Sequence, residues 1–103
     1  MGHSTSMKAL ILKLAKNDLR EINRYLSKYG IAPPKEFRKS FERFCVQVEN
    51  MPYSYGQYKP NPKFHRTVVE YGYLVFYQIE EKDGRVRIYR VLHGKQNIVL
   101  IEN

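Results

Sequence analysis

Apolar residues recur at period two between lysines near the start of the chain: in Lys8-Ala9-Leu10-Ile11-Leu12-Lys13-Leu14 the leucines fall at 10, 12 and 14. The run is too short for a helix, and we read a strand over residues 8–14. Lys16-Asn17-Asp18 then supplies a capping signal with an acid in the first turn, and Leu19, Ile22, Leu26 and Tyr29 follow at offsets of three and four. This spacing predicts an amphipathic helix that Gly30 stops. Pro33-Pro34 can only open a new element. From Lys35 the series Phe37, Phe41, Phe44, Val48, Met51 again steps by four and three, so a second helix runs until Pro52.

The short join from Gly30 to Pro33 folds these helices into an antiparallel hairpin with both stripes turned toward a common sheet. Tyr53 to Pro62, rich in Tyr, Gly and Pro, reads as a loop. Phe64 to Glu70, Tyr73 to Glu80 and Arg85 to His93 are β-branched and aromatic, and Tyr71-Gly72 and Lys82-Asp83-Gly84 between them make two tight hairpins. Residues 97–103 form either a short strand or a docked tail. The order β-α-α-β-β-β is an α+β fold: a helix hairpin packed on one face of a small, antiparallel-dominated sheet, with the other face left open for function.

At 103 residues the chain is one domain, because domains commonly run to about 100–150 residues. Its formal charge of +8 calls for an anionic partner. Apolar runs fall far short of the ~20 residues that span a bilayer, so no membrane is involved. The single Cys45 excludes an intrachain disulfide and fits a reducing cytoplasm. Cysteine and histidine show no ligand spacing, so neither a metal nor any other cofactor is expected. Residues 1–6 carry no apolar period and read as a disordered cloning remnant, with the domain spanning residues 7–103 from a natural start at Met7.

Between Met51 and Val69 there is no acid, while Lys59, Lys63 and Arg66 stand among Tyr53, Tyr55, Tyr58, Phe64 and His65. Cations neutralise phosphates and ring faces stack bases, so this mixture suits single-stranded nucleic acid; a solvated tyrosine-rich loop explains it equally. A second acid-free stretch, Arg85 to Lys95, puts Arg85, Arg87, Tyr89, Val91 and His93 on one strand face and Val86, Ile88, Arg90 and Leu92 on the other. Arg90 thus interrupts an apolar face. Either a bulge re-aims it or its guanidinium has a buried partner. His93 or His65 could shuttle a proton in RNA cleavage while Arg66, Arg87 or Arg90 stabilises the phosphate; a strand-end histidine can equally be structural.

Several segments together resemble the RelE/ParE toxin superfamily: Asn17-Asp18-Leu19-Arg20-Glu21-Ile22 with Tyr25-Leu26, the helix hairpin, Phe64-His65-Arg66, Tyr73-Leu74-Val75-Phe76-Tyr77, and Val86 through Gly94. The resemblance covers nearly all of residues 7–101. It implies the toxin half of a type II toxin–antitoxin module, a small basic protein neutralised by a partly disordered cognate antitoxin. RelE-like members cleave messenger RNA on the ribosome; ParE-like members poison DNA gyrase. RelE-type enzymes place a catalytic tyrosine, or a histidine–tyrosine pair, near the C-terminus, and no tyrosine follows Tyr89 here. Arg66 matches a family arginine that nuclease members use at the phosphate.

The resemblance therefore implies a ParE-like toxin acting on DNA gyrase, whose antitoxin is expected beside Leu19, Ile22 and Leu26; the acid-free stretches offer Lys59, Lys63, Arg66, Arg87, Arg90 and Lys95 as the cations for a nucleic acid or other target. The alternative is a ribosome-dependent endoribonuclease using His93, Arg66 and His65. A third reading is a basic nucleic-acid-binding domain without toxicity.

Overall fold

A computed structural model describes residues 6–96 and Leu100. The elements run β1 (Lys8–Ile11), α1 (Lys13–Ser27), α2 (Ala32–Asn50), β2 (His65–Val69), a 3-10 turn (Glu70–Gly72), β3 (Tyr73–Glu80) and β4 (Arg85–His93). The strand order is β1-β4-β3-β2, with β1 parallel to β4 and the other pairs antiparallel. The α+β order and the helix hairpin are those expected. Both helices cover one sheet face, because only there do their stripes meet an apolar surface.

Alternation along β3 divides the interior. Tyr73, Val75 and Tyr77 join Ile22, Leu26, Phe37, Phe41 and Phe44 in the helix-side core. Phe37 meets Tyr73 edge-on at 5.3 Å and Phe44 meets Tyr77 at 5.4 Å, the arrangement ring quadrupoles favour. Burying each such side chain contributes about 1.5–3 kcal/mol.

Several boundaries differ from the sequence expectation. β1 stops at Ile11, and Ala9 and Ile11, with Met7 just before the strand, pack on the core; of the period-two leucines only Leu10 lies in β1, on the other face, while Leu12 precedes α1 and Leu14 is within it. α1 begins at Lys13 without a side-chain cap, so Asp18 lies one and a half turns inside it. α2 starts at Ala32 and takes both prolines into its first turn, where their missing N–H groups are not needed. Tyr29 and Met51, expected on the buried stripes, are 65% and 59% exposed. Both lie just past a helix end. The segment 97–103 falls outside the described residues except for Leu100.

Asp18 serves the sheet instead of the helix end. The β1–β4 ladder closes with the Leu12 N–H donating to the Ile88 carbonyl at 3.0 Å. Beyond it β4 has no strand on that side, and a bulge breaks its register with β3: Tyr77 pairs with Ile88 and Phe76 with Arg90, leaving Tyr89 as the extra residue. Asp18 Oδ2 accepts the Val91 N–H at 2.9 Å, and Arg90 forks onto both carboxylate oxygens at 2.8 and 2.9 Å. The two alternatives for Arg90 are thus both realised, a bulge and a buried partner. The extra residue also shifts the face alternation, so Val86 and Ile88 before it and Val91 after it all enter the helix-side core.

The reverse face is not open, contrary to expectation. Phe64, Leu74, Phe76 and Leu92 form a second buried cluster, with Tyr58, Tyr89 and Leu100 packed against it. The loop between α2 and β2 doubles back, its Tyr58 N–H donating to the Phe64 carbonyl at 2.8 Å and the Arg66 N–H to that of Gly56 at 3.2 Å. Tyr58 then stands edge-on to Phe76 at 5.0 Å, and Phe64 to Tyr89 at 5.1 Å. With Leu74, Phe76 and Leu92 on that side, the face is too apolar to leave wet.

Replacing Asp18 by alanine strands the Arg90 guanidinium and the Val91 N–H; the Arg90 and Asp18 side chains are only 19% and 13% exposed. The expected loss is about 2–4 kcal/mol in urea unfolding. Arg24→Ala, which breaks an exposed pair with Glu21, should cost under about 0.5 kcal/mol. Similar losses for both would show that Asp18 does not hold the bulge. Burial beside the core, with Glu49 and Glu42 nearby, pushes the Cys45 thiol up to about 11. Its reaction with a disulfide reagent at pH 8 should be at least about tenfold slower than that of free cysteine and should keep accelerating as pH rises past 10.

Candidate functional site

The fold disperses the residues that RNA cleavage would need together. His65 opens β2 and pairs with Tyr77; its ring stacks on Tyr77 at 5.4 Å and its Nδ1 lies 2.9 Å from the Tyr55 carbonyl. His93 ends β4 opposite Tyr73, four residues away along β3. At the usual rise that places the two histidines about 13 Å apart along the strand. Arg66 pairs with Phe76 and so projects from the reverse face, its guanidinium over the Tyr58 ring at 5.7 Å. The two histidines and the arginine therefore form no proton-shuttle and cation constellation.

The cations proposed for a target are similarly divided. Lys59 and Lys63 are exposed on the loop leading to β2, and Lys95 is exposed just after β4. Arg66 is exposed beside the loop tyrosines. Arg87 is half-buried and bonded to Asp83 at 3.2 Å, and Arg90 is committed to Asp18. Lys59, Lys63 and Arg66 make the coherent basic surface. Arg90 belongs to the scaffold.

Of the residues suggested for an antitoxin, Ile22 and Leu26 are buried, 6% and 5% exposed, and line the inner side of a groove on the sheet-end flank of α1. Leu19 instead borders a groove of about 680 Å³ between the helices, with Phe37 and Phe41 deeper in it and Arg20, Arg24 and Arg38 on its rim. Arg20 and Arg24 could have been found in the sequence, since their helical spacing places them to one side of Leu19, whereas Arg38 is brought to the groove by α2. A second groove of about 580 Å³ lies on the other flank of α1, with Tyr25, Tyr29, Tyr71 and His93 among its walls. Tyr71 could not be foreseen there, because it reaches the cavity from the β2–β3 turn. Among the described residues no cluster of His, Cys, Asp or Glu could hold a metal ion, and no helix is long and apolar enough to cross a membrane.

A helix hairpin over one face of a β1-β4-β3-β2 sheet, with a parallel first strand, is the RelE/ParE arrangement. The family model describing the ParE toxin of the type II toxin–antitoxin system parDE matches residues 10–98, and the chain belongs to that family. Among solved structures it is similar to the chromosomal ParDE toxin–antitoxin system of P. aeruginosa (TM-score 0.66, 14% identity, 87% of this chain and 98% of that one). It is also similar to the toxin–antitoxin complex RelBE2 of Mycobacterium tuberculosis (0.63, 18%, 85% and 98%). A mutant of the E. coli toxin RelE in the free state matches as well (0.60, 15%, 87% and 85%). At these identities the likeness is one of fold. No curated protein matches the sequence significantly.

The histidines should be opposite tautomers when neutral. His65 must carry its proton on Nδ1 to donate to the Tyr55 carbonyl, whereas His93 Nδ1 accepts the Lys95 N–H at 3.2 Å and so leaves the proton on Nε2. Long-range proton–nitrogen NMR correlations at high pH read this directly. Identical patterns for both rings would contradict the described contacts.

Proposed function

We propose that this protein is the toxin of a type II toxin–antitoxin pair, arresting growth through DNA gyrase and silenced by a cognate antitoxin. The observation that carries the reading is the match of the ParE family model to residues 10–98. The dispersal of His65, Arg66 and His93 supports it, because a ribosome-dependent endoribonuclease needs a proton-transfer group and a phosphate-binding cation within one substrate's reach. Inhibition of gyrase asks only for a binding surface. The exposed Lys59, Lys63 and Arg66 supply a basic one.

An antitoxin fits the groove between the helices. Its floor is apolar and its rim carries Arg20, Arg24 and Arg38, so an acidic segment that folds on binding would gain both burial and charge contact there. The structures of the P. aeruginosa ParDE system and the M. tuberculosis RelBE2 complex concern proteins of this fold paired with antitoxins, which supports the same partnership here. The basic reverse-side loop by itself would also suit a non-toxic nucleic-acid-binding domain.

Induction of the protein alone should arrest growth, inhibit gyrase supercoiling in vitro and leave ribosome-bound messenger intact; co-expression of the protein encoded by the adjoining reading frame should restore growth. His93→Ala should leave supercoiling inhibition within about twofold, since no chemistry passes through that ring. Messenger cleavage that His93→Ala abolishes would establish the endoribonuclease instead, and absence of any arrest would leave the nucleic-acid-binding domain.

A further inference from the structure

α1 is a crest between grooves of opposite character. Toward α2 the rim is arginine. On the other flank the cavity between α1, the β2–β3 turn and the end of β4 has an apolar floor of Ile22, Leu26 and Pro33 beneath Glu21, four tyrosines and His93, with no lysine or arginine in its lining. That absence is unexpected in a chain of formal charge +8. Tyr25, Tyr29 and Tyr71 remain 49%, 65% and 41% exposed, so much of each ring is left accessible to a partner.

Tyr71 makes the point most sharply. It sits at φ +64, the one positive-φ residue other than glycine among the described residues. Glycine or asparagine would hold this left-handed turn more easily than a residue with a bulky side chain. The Tyr71 hydroxyl donates to Glu36, and that bond, with the charges of Glu36 and Glu70, pushes the phenol up to about 12. Ring faces and the carboxylates of Glu21 and Glu36 thus stand together around the cavity, groups that attract a cation. The protein's own Lys28 already hangs over the Tyr25 ring, 5.8 Å from its centroid.

We propose that this cavity seats an arginine side chain of the antitoxin, its guanidinium stacked on Tyr25, Tyr29 and Tyr71 and forked to Glu21. The proposal rests on the antitoxin reading above. Arginine fits better than lysine because its planar, weakly hydrated head stacks on rings and matches a carboxylate with two donors. Glu21 now pairs with Arg24 at 2.9 Å, but both are about two-thirds exposed; water screens such a pair strongly, so the carboxylate is readily handed over. The source is the antitoxin because Glu21 and Arg24 lie one turn apart on α1, facing the two grooves. A segment lying in the arginine-rimmed groove reaches the tyrosine cavity by crossing that single crest.

The test uses the full chain and three blocked amino acids, N-acetyl N-methylamides of arginine, of its neutral isostere citrulline, and of leucine, followed by aromatic NMR. The arginine probe should shift the rings of Tyr25, Tyr29 and Tyr71 but not Tyr53, and should bind about tenfold more tightly than citrulline; Glu21→Gln should remove most of that advantage. In the co-purified complex with the adjoining gene's product, Glu21→Gln should speed antitoxin dissociation about tenfold. Glu21 is exposed, so this variant keeps its fold. Equal binding of citrulline or leucine, or no ring shifts with arginine, overturns the seat while leaving growth arrest and its neutralisation untouched. Ring shifts without any effect of Glu21→Gln on dissociation overturn the antitoxin as the source of the arginine.

Discussion

The Asp18 carboxylate ties the helical layer to the sheet at the place where the sheet would otherwise fail. β1 is too short to pair with the whole of β4, and an inner strand with an unpaired N–H beside a bulge would be open to water. By accepting from both the Val91 N–H and the Arg90 guanidinium, one side chain substitutes for the missing strand and neutralises a charge set among apolar residues. Everything beyond the bulge depends on it. The phase shift carries Val91 into the helix-side core and brings His93 against Tyr73, 5.2 Å apart edge-on, which builds one wall of the tyrosine cavity.

The excess positive charge is sorted. Arginines rim the hairpin groove, Lys59 and Lys63 on the loop and Arg66 on β2 lie on the far side of the sheet, and the lining of the cavity on the remaining flank of α1 holds rings, aliphatic side chains and a carboxylate but no lysine or arginine. A single basic surface would attract any polyanion alike. Separate surfaces of different chemistry allow a target and an inhibitor to be recognised by different means, and place the grooves on either flank of α1 within reach of one extended segment.

Legibility varied with the range of the interactions involved. Both helices, the strands β3 and β4 and the hairpin turns follow from local spacing, and Tyr73–Glu80 and Arg85–His93 fall where the pattern puts them. Lys16-Asn17-Asp18 looked like a cap because a capping acid and a mid-helix acid that reaches across to a strand read the same in one dimension. The leucines at period two were misleading for a related reason: in so short a parallel strand, the face that packs is decided by where the helices lie. The apolar reverse face was legible in Phe64, Leu74, Phe76 and Leu92 individually, but not the return of the loop to cover them.

The α+β order, the hairpin of amphipathic helices, the basic charge and the resemblance to the RelE/ParE toxins are readable along the chain, because periodicity and composition are properties of neighbouring residues. That Arg90 is scaffold, that His65, Arg66 and His93 stand apart, and that Tyr71 joins Tyr25 and Tyr29 around one cavity emerge only on folding. Those outcomes turn on one extra residue in β4 and on contacts between segments distant along the chain. A bulge reverses every later side chain while leaving the local pattern of residues unchanged.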